Sequence, residues 1–102
     1  TGTRANDIME IKAIKNVFNN DVYVSSTKSR TGHCLGAVGS VELGICLLAL
    51  KNNFLPHTIN SNLDIEGGTG LLKEKNKPEK LEVILSNSFA FGGNLSSLII
   101  KK

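Results

Sequence analysis

The residues best suited to chemistry lie in one polar, glycine-containing stretch, residues 25–40. Three basic side chains are crowded there: Lys28, Arg30 and His33. Residues 21–25 are typical of a strand and residues 41–50 of an apolar helix, so the stretch is predicted to form a strand-to-helix turn. Ligands bind at such turns in α/β folds, because the amino terminus of a helix favours negative charge. Exposed cations there cost roughly 0.3–1 kcal/mol each, which indicates that they stabilise an anion.

The helix predicted at residues 41–50 is apolar on all its faces. Its single charged residue is Glu42, which we place in the first turn, where the helix dipole favours a carboxylate. A helix that is apolar all round is buried all round. Few strands are available to cover it: Asp21 to Ser25, Leu81 to Ser86, Leu95 to Ile100 and, more weakly, His57 to Asn60. We therefore expect an α/β fold that is incomplete in this chain and is covered by further protein.

The remaining segments are predicted from periodicity and turn residues. An amphipathic helix is expected from Asp7 to Phe18, with Asn6 or Asp7 as its N-cap. Residues 64–70 are read as a glycine-rich turn and residues 73–80 as a solvated loop. The last two strands are expected to form an antiparallel hairpin around the glycine-rich loop 87–94.

Composition excludes several classes of function. The net charge is +3, from 12 Lys and Arg against 9 Asp and Glu, and the aromatic share of 5% does not favour a nucleic-acid interface. Cys34 and Cys46 lack metal-ligand spacing, so no metal or cofactor is expected. No apolar run reaches the roughly 20 residues of a membrane span. We therefore expect no membrane partner, and a reducing compartment, the cytoplasm or an organelle lumen.

Two polar loops carry a family resemblance. Residues 26–42, with Lys28 and His33, and residues 87–93, Asn-Ser-Phe-Ala-Phe-Gly-Gly, resemble the carboxyl-terminal part of the β-ketoacyl-acyl carrier protein synthases. These are the condensing enzymes of fatty acid and polyketide synthesis. Thr1-Gly2-Thr3 is similar to the end of the family's His-Gly-Thr-Gly-Thr motif, and residues 56–60 are similar to its Pro-Pro-Thr-Ile-Asn. The resemblance therefore runs along the whole chain.

The resemblance implies a fold and an activity. The family has a thiolase-like αβαβα layered fold, of which residues 1–102 would be the carboxyl-terminal half. The nucleophilic Cys and a second active-site His would lie outside this chain, which we expect to be inactive alone. The whole enzyme would condense a malonyl thioester with an enzyme-bound acyl group, with decarboxylation. The expected partners are an acyl carrier protein and a second copy of the enzyme.

Roles for single residues follow from the same resemblance. His33 matches the family's His, whose neutral imidazole N–H would stabilise the negative thioester oxygen of the malonyl enolate. Lys28 matches a Lys expected to order the His33 loop, with Glu42 as its partner in a buried polar network.

The second loop matches the family's gate. Phe91 corresponds to the gating Phe, whose backbone N–H contributes to the acyl oxyanion hole, and Gly92 and Gly93 would let the loop move and approach closely. Ala90 stands where the family usually has Gly, and Leu95 where Asn is common. The methyl group of Ala90 is expected to stiffen the gate or to limit positive φ, so Ala90→Gly should broaden or speed acyl loading.

Other interpretations stay open at this point. His57 and Cys34 are interpreted as structural, since the side chain of Cys34 diverges from His33 and the family commonly has Pro at the position of His57. Phe89 is interpreted as a core residue. One alternative function is a non-condensing homologue, similar to a chain-length factor, that lacks the nucleophile. Another is a free-standing module that binds an acyl carrier protein.

Overall fold

The computed structural model describes residues 1–19, 22–61 and 80–102. These residues form two compact units. The first contains Thr1–His33 and residues 56–61, and the second contains Cys34–Leu55 and residues 80–102. Asp21, the predicted turn at 64–70 and residues 73–79 of the predicted loop lie outside the described residues.

The first unit begins with helix α1, Arg4–Phe18. The helix therefore starts about one turn earlier than the predicted Asp7, and Thr3 is its N-cap residue instead of Asn6 or Asp7. Asp7 nevertheless serves the helix start, because its Oδ1 accepts a hydrogen bond from the backbone N–H of Gly2 at 3.2 Å. A carboxylate in the first turn also interacts favourably with the helix dipole. The helix ends at Phe18. Its C-cap residue Asn19 has φ of 55° and donates its N–H to the carbonyl of Lys15 at 2.8 Å.

The next part of the first unit departs from the predicted strands. Within the described residues, neither 22–25 nor the weaker candidate 57–60 takes part in a β-ladder. Side chains bond backbone groups there instead. The N–H of Ser26 donates to Thr58 Oγ1 at 2.7 Å, and the N–H of Ile59 donates to Ser29 Oγ at 3.0 Å. The predicted basic turn also contains a short helix, α2, at Lys28–Thr31. Strand-forming residues do not make a strand when no neighbouring strand is present to pair with them.

The second unit is built from one helix and one hairpin. A 3-10 turn at Leu35–Ala37 leads into helix α3, Val38–Asn52, which contains and extends the predicted helix at 41–50. The helix ends at Asn53, a residue in the left-handed conformation whose N–H bonds back to the carbonyls of Ala49 and Leu50. The Asn53 side chain then accepts a hydrogen bond from the N–H of Leu81 at 2.7 Å, which joins the helix end to the start of the hairpin.

The predicted antiparallel pairing is confirmed, but the first strand is displaced from the predicted Leu81 to Ser86. Residues 87–89 were predicted to lie in the glycine-rich loop, and they belong to the first strand because they pair with residues 95–97. Strand β1, Val83–Phe89, pairs antiparallel with strand β2, Leu95–Lys101, in a register that runs from Phe89 opposite Leu95 to Val83 opposite Lys101. Cross-strand partners share one face of the sheet. Ile84 and Ile100 are such a pair, and they pack against a small core: Ala49, Leu50 and Leu81. The described units thus form an α/β arrangement with a two-stranded sheet.

Helix α3 is only partly covered. Ala49 and Leu50 are buried, at 0% and 4% exposure, whereas Leu47 and Leu48 are 51% and 54% exposed. The prediction that this chain cannot cover the helix on every side is therefore confirmed for the described residues.

The stretch Leu35–Asn52, at 18 residues, is long and apolar enough to cross a membrane by length and composition alone. This corrects the prediction that no segment qualifies. Core helices of soluble proteins pass the same test, so the evidence for a span is weak.

Candidate active site

The first part of the candidate site is the turn that carries Lys28. Its backbone is held on both sides, because the N–H of Lys28 donates to Ser26 Oγ at 3.4 Å and its carbonyl accepts from the N–H of Gly32 at 2.9 Å. Gly32 has φ of 72° and ψ of 179°, a conformation that favours glycine. The chain therefore leaves helix α2 through a glycine and reaches His33 at the next residue.

His33 is exposed, and Lys28 is half-buried. Both lie in the first unit, at the two ends of the same short turn. An imidazole and an ammonium group on one fixed turn can stabilise negative charge that develops on a substrate oxygen, because preorganised donors need no reorganisation during the reaction.

Residues 56–59 lie against this turn. Tyr23 Oη donates to the carbonyl of Pro56 at 3.4 Å and lies 3.2 Å from His57 Nδ1. Arg30 Nε donates to the carbonyl of His57 at 3.4 Å. The structural interpretation of His57 is consistent with these contacts. The roles of Tyr23 and Arg30 could not be predicted from the sequence, because their partners are distant in sequence and no local pattern indicates the pairing.

The loop that carries Phe91 lies at the end of the hairpin in the second unit. The N–H of Ala90 donates to the carbonyl of Asn94 at 2.9 Å, and Asn94 Nδ2 donates to the carbonyl of Phe91 at 3.4 Å. Gly92 and Gly93 have φ of 80° and 79°, which L residues rarely adopt. The ring of Phe91 is 98% exposed. Within this unit, a short bonded loop thus presents an aromatic side chain to the outside.

The two departures from the family pattern can be placed in this loop. Ala90 has φ of −115° and ψ of 162°, an extended conformation that any residue adopts. The methyl group meets no restriction in this conformation, and the expected effect of Ala90 on the gate stays a prediction. Leu95 begins strand β2 opposite Phe89 and is 74% exposed. Phe89 ends strand β1 and is 44% exposed, so the prediction that it is a core residue is wrong within the described residues.

Helix α3 carries Glu42 and Cys46. The helix begins at Val38, so Glu42 does not lie in the first turn as predicted but one position beyond it, and it is half-buried. Burial raises the pKa of the Cys46 thiol, a hydrogen bond with Ser86 opposes this, and the charge of Glu42 raises it further. Cys34 and Cys46 are thiols that no disulfide joins. Among the described residues, no group of three His, Cys, Asp or Glu side chains could hold a metal ion.

The candidate residues are divided between the two units. Lys28 and His33 belong to the first. The second contains the other four: Glu42, Phe91, Gly92 and Gly93. The predicted partnership of Lys28 with Glu42 joins the two units and stays a prediction.

Comparison with known proteins identifies the family. A model described as beta-ketoacyl synthase, C-terminal domain, matches residues 1–62. The whole chain is 41% identical to 3-oxoacyl-[acyl-carrier-protein] synthase 2 of Coxiella burnetii and 44% identical to the same-named protein of Vibrio cholerae. It is also 44% identical to 3-oxoacyl-[acyl-carrier-protein] synthase 1 of Buchnera aphidicola, and it spans about a quarter, 26%, of each of these relatives. No solved structure matches the chain significantly. The chain belongs to the beta-ketoacyl synthase family, in the region of its C-terminal domain.

Proposed function

We propose that this chain is the carboxyl-terminal part of a 3-oxoacyl-[acyl-carrier-protein] synthase, a transferase of fatty acid or polyketide synthesis. The observation that carries the proposal is identity of 41% to 44%, over the whole chain, with proteins of that name. In the complete enzyme, residues 1–102 would form part of a thiolase-like αβαβα layered fold. The exposed side chains of Leu47 and Leu48 on helix α3 support a fold that further protein completes.

The proposed reaction is a decarboxylative condensation. An acyl group is first held as a thioester on a nucleophilic Cys elsewhere in the enzyme. The bond between the malonyl α-carbon and its carboxylate then breaks, CO₂ leaves, and the electron pair becomes an enolate. The enolate carbon attacks the acyl carbonyl, and the Cys thiolate departs and takes up a proton. The product is a 3-oxoacyl thioester on the acyl carrier protein.

In this mechanism, His33 is the residue that stabilises the enolate. Its imidazole N–H would donate to the malonyl thioester oxygen while negative charge develops there, which is where a positioned donor lowers the barrier most. Exposure of His33 supports access to a substrate. Lys28 would hold the His33 turn in place, with Glu42 as its partner in the assembled enzyme.

Phe91 has two proposed roles on the acyl side. Its backbone N–H would contribute to the oxyanion hole of acyl transfer, and its ring would control access to the nucleophile. The high exposure of the ring and the left-handed conformations of Gly92 and Gly93 support a loop that reaches toward a neighbouring part of the enzyme.

The proposed partners and compartment complete this assignment. The partner is an acyl carrier protein that bears acyl or malonyl groups, as the names of the relatives indicate. We place the enzyme, as a homodimer, in the cytoplasm, where Cys34 and Cys46 stay reduced.

The direct test is a condensation assay on the synthase that contains this chain. Purified enzyme would be incubated with an acyl-carrier protein and a malonyl-carrier protein, and the products identified by mass spectrometry. We expect a 3-oxoacyl-carrier protein, extended by two carbons, together with one CO₂ per condensation. Carrier-protein binding without CO₂ release or product would instead indicate the non-condensing alternatives.

A further inference from the structure

Three hydroxyl side chains tie the turn that carries Lys28 to residues 58 and 59. We call Ser26, Ser29 and Thr58 the hydroxyl clamp. All three are half-buried and belong to the first unit. The family resemblance assigned no role to any of them.

The clamp acts on the backbone at both sides of Lys28. Thr58 Oγ1 accepts from the N–H of Ser26 at 2.7 Å, and Ser26 Oγ accepts from the N–H of Lys28 at 3.4 Å. Ser29 Oγ accepts from the N–H of Ile59 at 3.0 Å and donates to the carbonyl of Ser26 at 3.3 Å. Lys28 therefore lies between two residues whose positions are fixed by residues 58 and 59.

Two other contacts between the same two segments are exposed. A third, the half-buried bond from Tyr23 Oη to the carbonyl of Pro56 at 3.4 Å, does not involve residues 26–29. The contact between Tyr23 and His57 and the bond from Arg30 to the His57 carbonyl, at 3.2 Å and 3.4 Å, both lie at the surface. Water competes for such groups. By contrast, a half-buried N–H that loses its acceptor bears the cost of its desolvation. The clamp, and not the surface contacts, is therefore the device that fixes the turn.

The geometry points to the hydroxyl clamp as a set of positioning residues for Lys28 and, through the turn, for His33. This inference rests on the proposed function, because it assigns the clamp to the decarboxylation step. A displacement of about 1 Å at a reacting group costs on the order of 100-fold in rate. Loss of one clamp bond should therefore impair malonyl decarboxylation and leave acyl loading, which we assign to the Phe91 loop, unchanged.

The experiment compares four forms of the synthase that contains this chain. Thr58→Val keeps the shape of the side chain but removes the acceptor for Ser26, and Thr58→Ser restores the hydroxyl. Ser61→Ala is the matched control, because it removes an exposed hydroxyl from the same segment. Each form, with the wild type, is assayed for CO₂ release from a malonyl thioester and, separately, for acyl transfer to the enzyme.

Thr58→Val is expected to lower the kcat of decarboxylation by about 10-fold to 100-fold. Acyl loading should stay at the wild-type rate, and both Thr58→Ser and Ser61→Ala should decarboxylate as the wild type does. Equal losses in both reactions, in step with a smaller folded fraction by near-ultraviolet circular dichroism, would overturn the inference and indicate a general structural role. Unchanged decarboxylation in Thr58→Val would overturn it too.

Hydrogen exchange separates this inference from the proposed function. In Thr58→Val, amides of residues 26–33 should exchange about 5-fold to 10-fold faster than in the wild type, because one hydrogen bond is lost, whereas residues 83–89 should be unaffected. Unchanged exchange at 26–33 would overturn the clamp whatever the activity. If amides 26–33 exchange faster in Thr58→Val but the wild-type synthase releases no CO₂, the clamp is supported and the proposed function is overturned.

Discussion

At the scale of single residues, backbone conformation explains the Phe91 loop better than side-chain contacts do. Gly92 and Gly93 both have positive φ, and Asn94 bonds the loop at two points. The glycine pair could be recognised from the sequence as a loop signal. The role of Asn94 could not be predicted from the sequence. Its side chain donates to the carbonyl of Phe91, whose direction depends on the conformations of the two glycines.

Gly92→Ala should slow acyl loading by the synthase. In the part of the chain that the structure describes, the added methyl group meets no atom closer than Asn94 Nδ2 at 3.8 Å, so the cost comes from the φ of 80° and amounts to about 1–2 kcal/mol. If the loop relaxes to avoid this strain, the Phe91 N–H moves and loading falls by about 10-fold. Gly36→Ala, which enters open space without positive φ, is the control. Wild-type loading kinetics in Gly92→Ala would contradict the role assigned to the loop.

Cys46 should react with alkylating reagents only at higher pH than an ordinary thiol, which titrates at about pH 8.5. Burial raises its pKa, so the folded protein retains the thiol proton where an unfolded chain has begun to lose it. The contribution of Cys46 to the free energy of unfolding is fully present below the pKa of the unfolded state. It is lost as the pH rises through the pKa of the folded state. Iodoacetamide labelling followed by mass spectrometry, with the urea-unfolded protein as reference, measures this. Equal pH profiles in the two states would disprove the shift.

At the scale of elements, local patterns predicted the hairpin and helix α3 but not the segments that depend on distant partners. Strand β2 begins at the predicted Leu95, because alternation and the glycine loop both lie in the local sequence. Residues 22–25 have strand-forming side chains, yet within the described residues they pair with no strand. The next residue, Ser26, donates its N–H to Thr58 Oγ1 instead, and these two residues lie far apart in sequence.

Gly44→Ala tests whether helix α3 is covered in the synthase. Among the described residues, a methyl group at Gly44 meets nothing within 4 Å, and Ala in a helix interior is about 1 kcal/mol more favourable than Gly. If a backbone packs against Gly44 in the complete enzyme, the substitution would destabilise the protein instead, since overpacking costs about 1–3 kcal/mol. We expect Gly44→Ala to lower the thermal midpoint of the synthase. A higher midpoint would show that the helix remains uncovered there.

At the scale of the whole molecule, the core that the described residues form is small. Its buried apolar side chains are Ala49, Leu50 and Leu81, and many large apolar side chains of the second unit remain exposed. The incomplete cover could be inferred from the sequence, because an all-apolar helix met too few strands. The sequence could not predict which apolar side chains remain exposed, since that depends on how the hairpin packs on the helix.

The isolated 102-residue chain should therefore unfold without a sharp transition. Net stability is a small difference between burial and chain entropy, and a core of this size leaves little surplus. Circular dichroism melts and amide NMR spectra of the isolated chain measure this, with a broad melt and poorly dispersed signals expected. A cooperative melt with dispersed signals would contradict the incomplete fold and would favour the free-standing carrier-protein-binding module.

The measurement that tests the central claim most directly is malonyl decarboxylation by two variants of the synthase. In each variant, one of the two histidines in this chain is replaced by Ala. His33 is assigned to the enolate, whereas His57 contacts Tyr23 at the surface. Loss of one such donor costs about 100-fold to 1,000-fold in kcat. We predict this loss of CO₂ release in His33→Ala and wild-type release in His57→Ala. Wild-type release in His33→Ala would contradict the account.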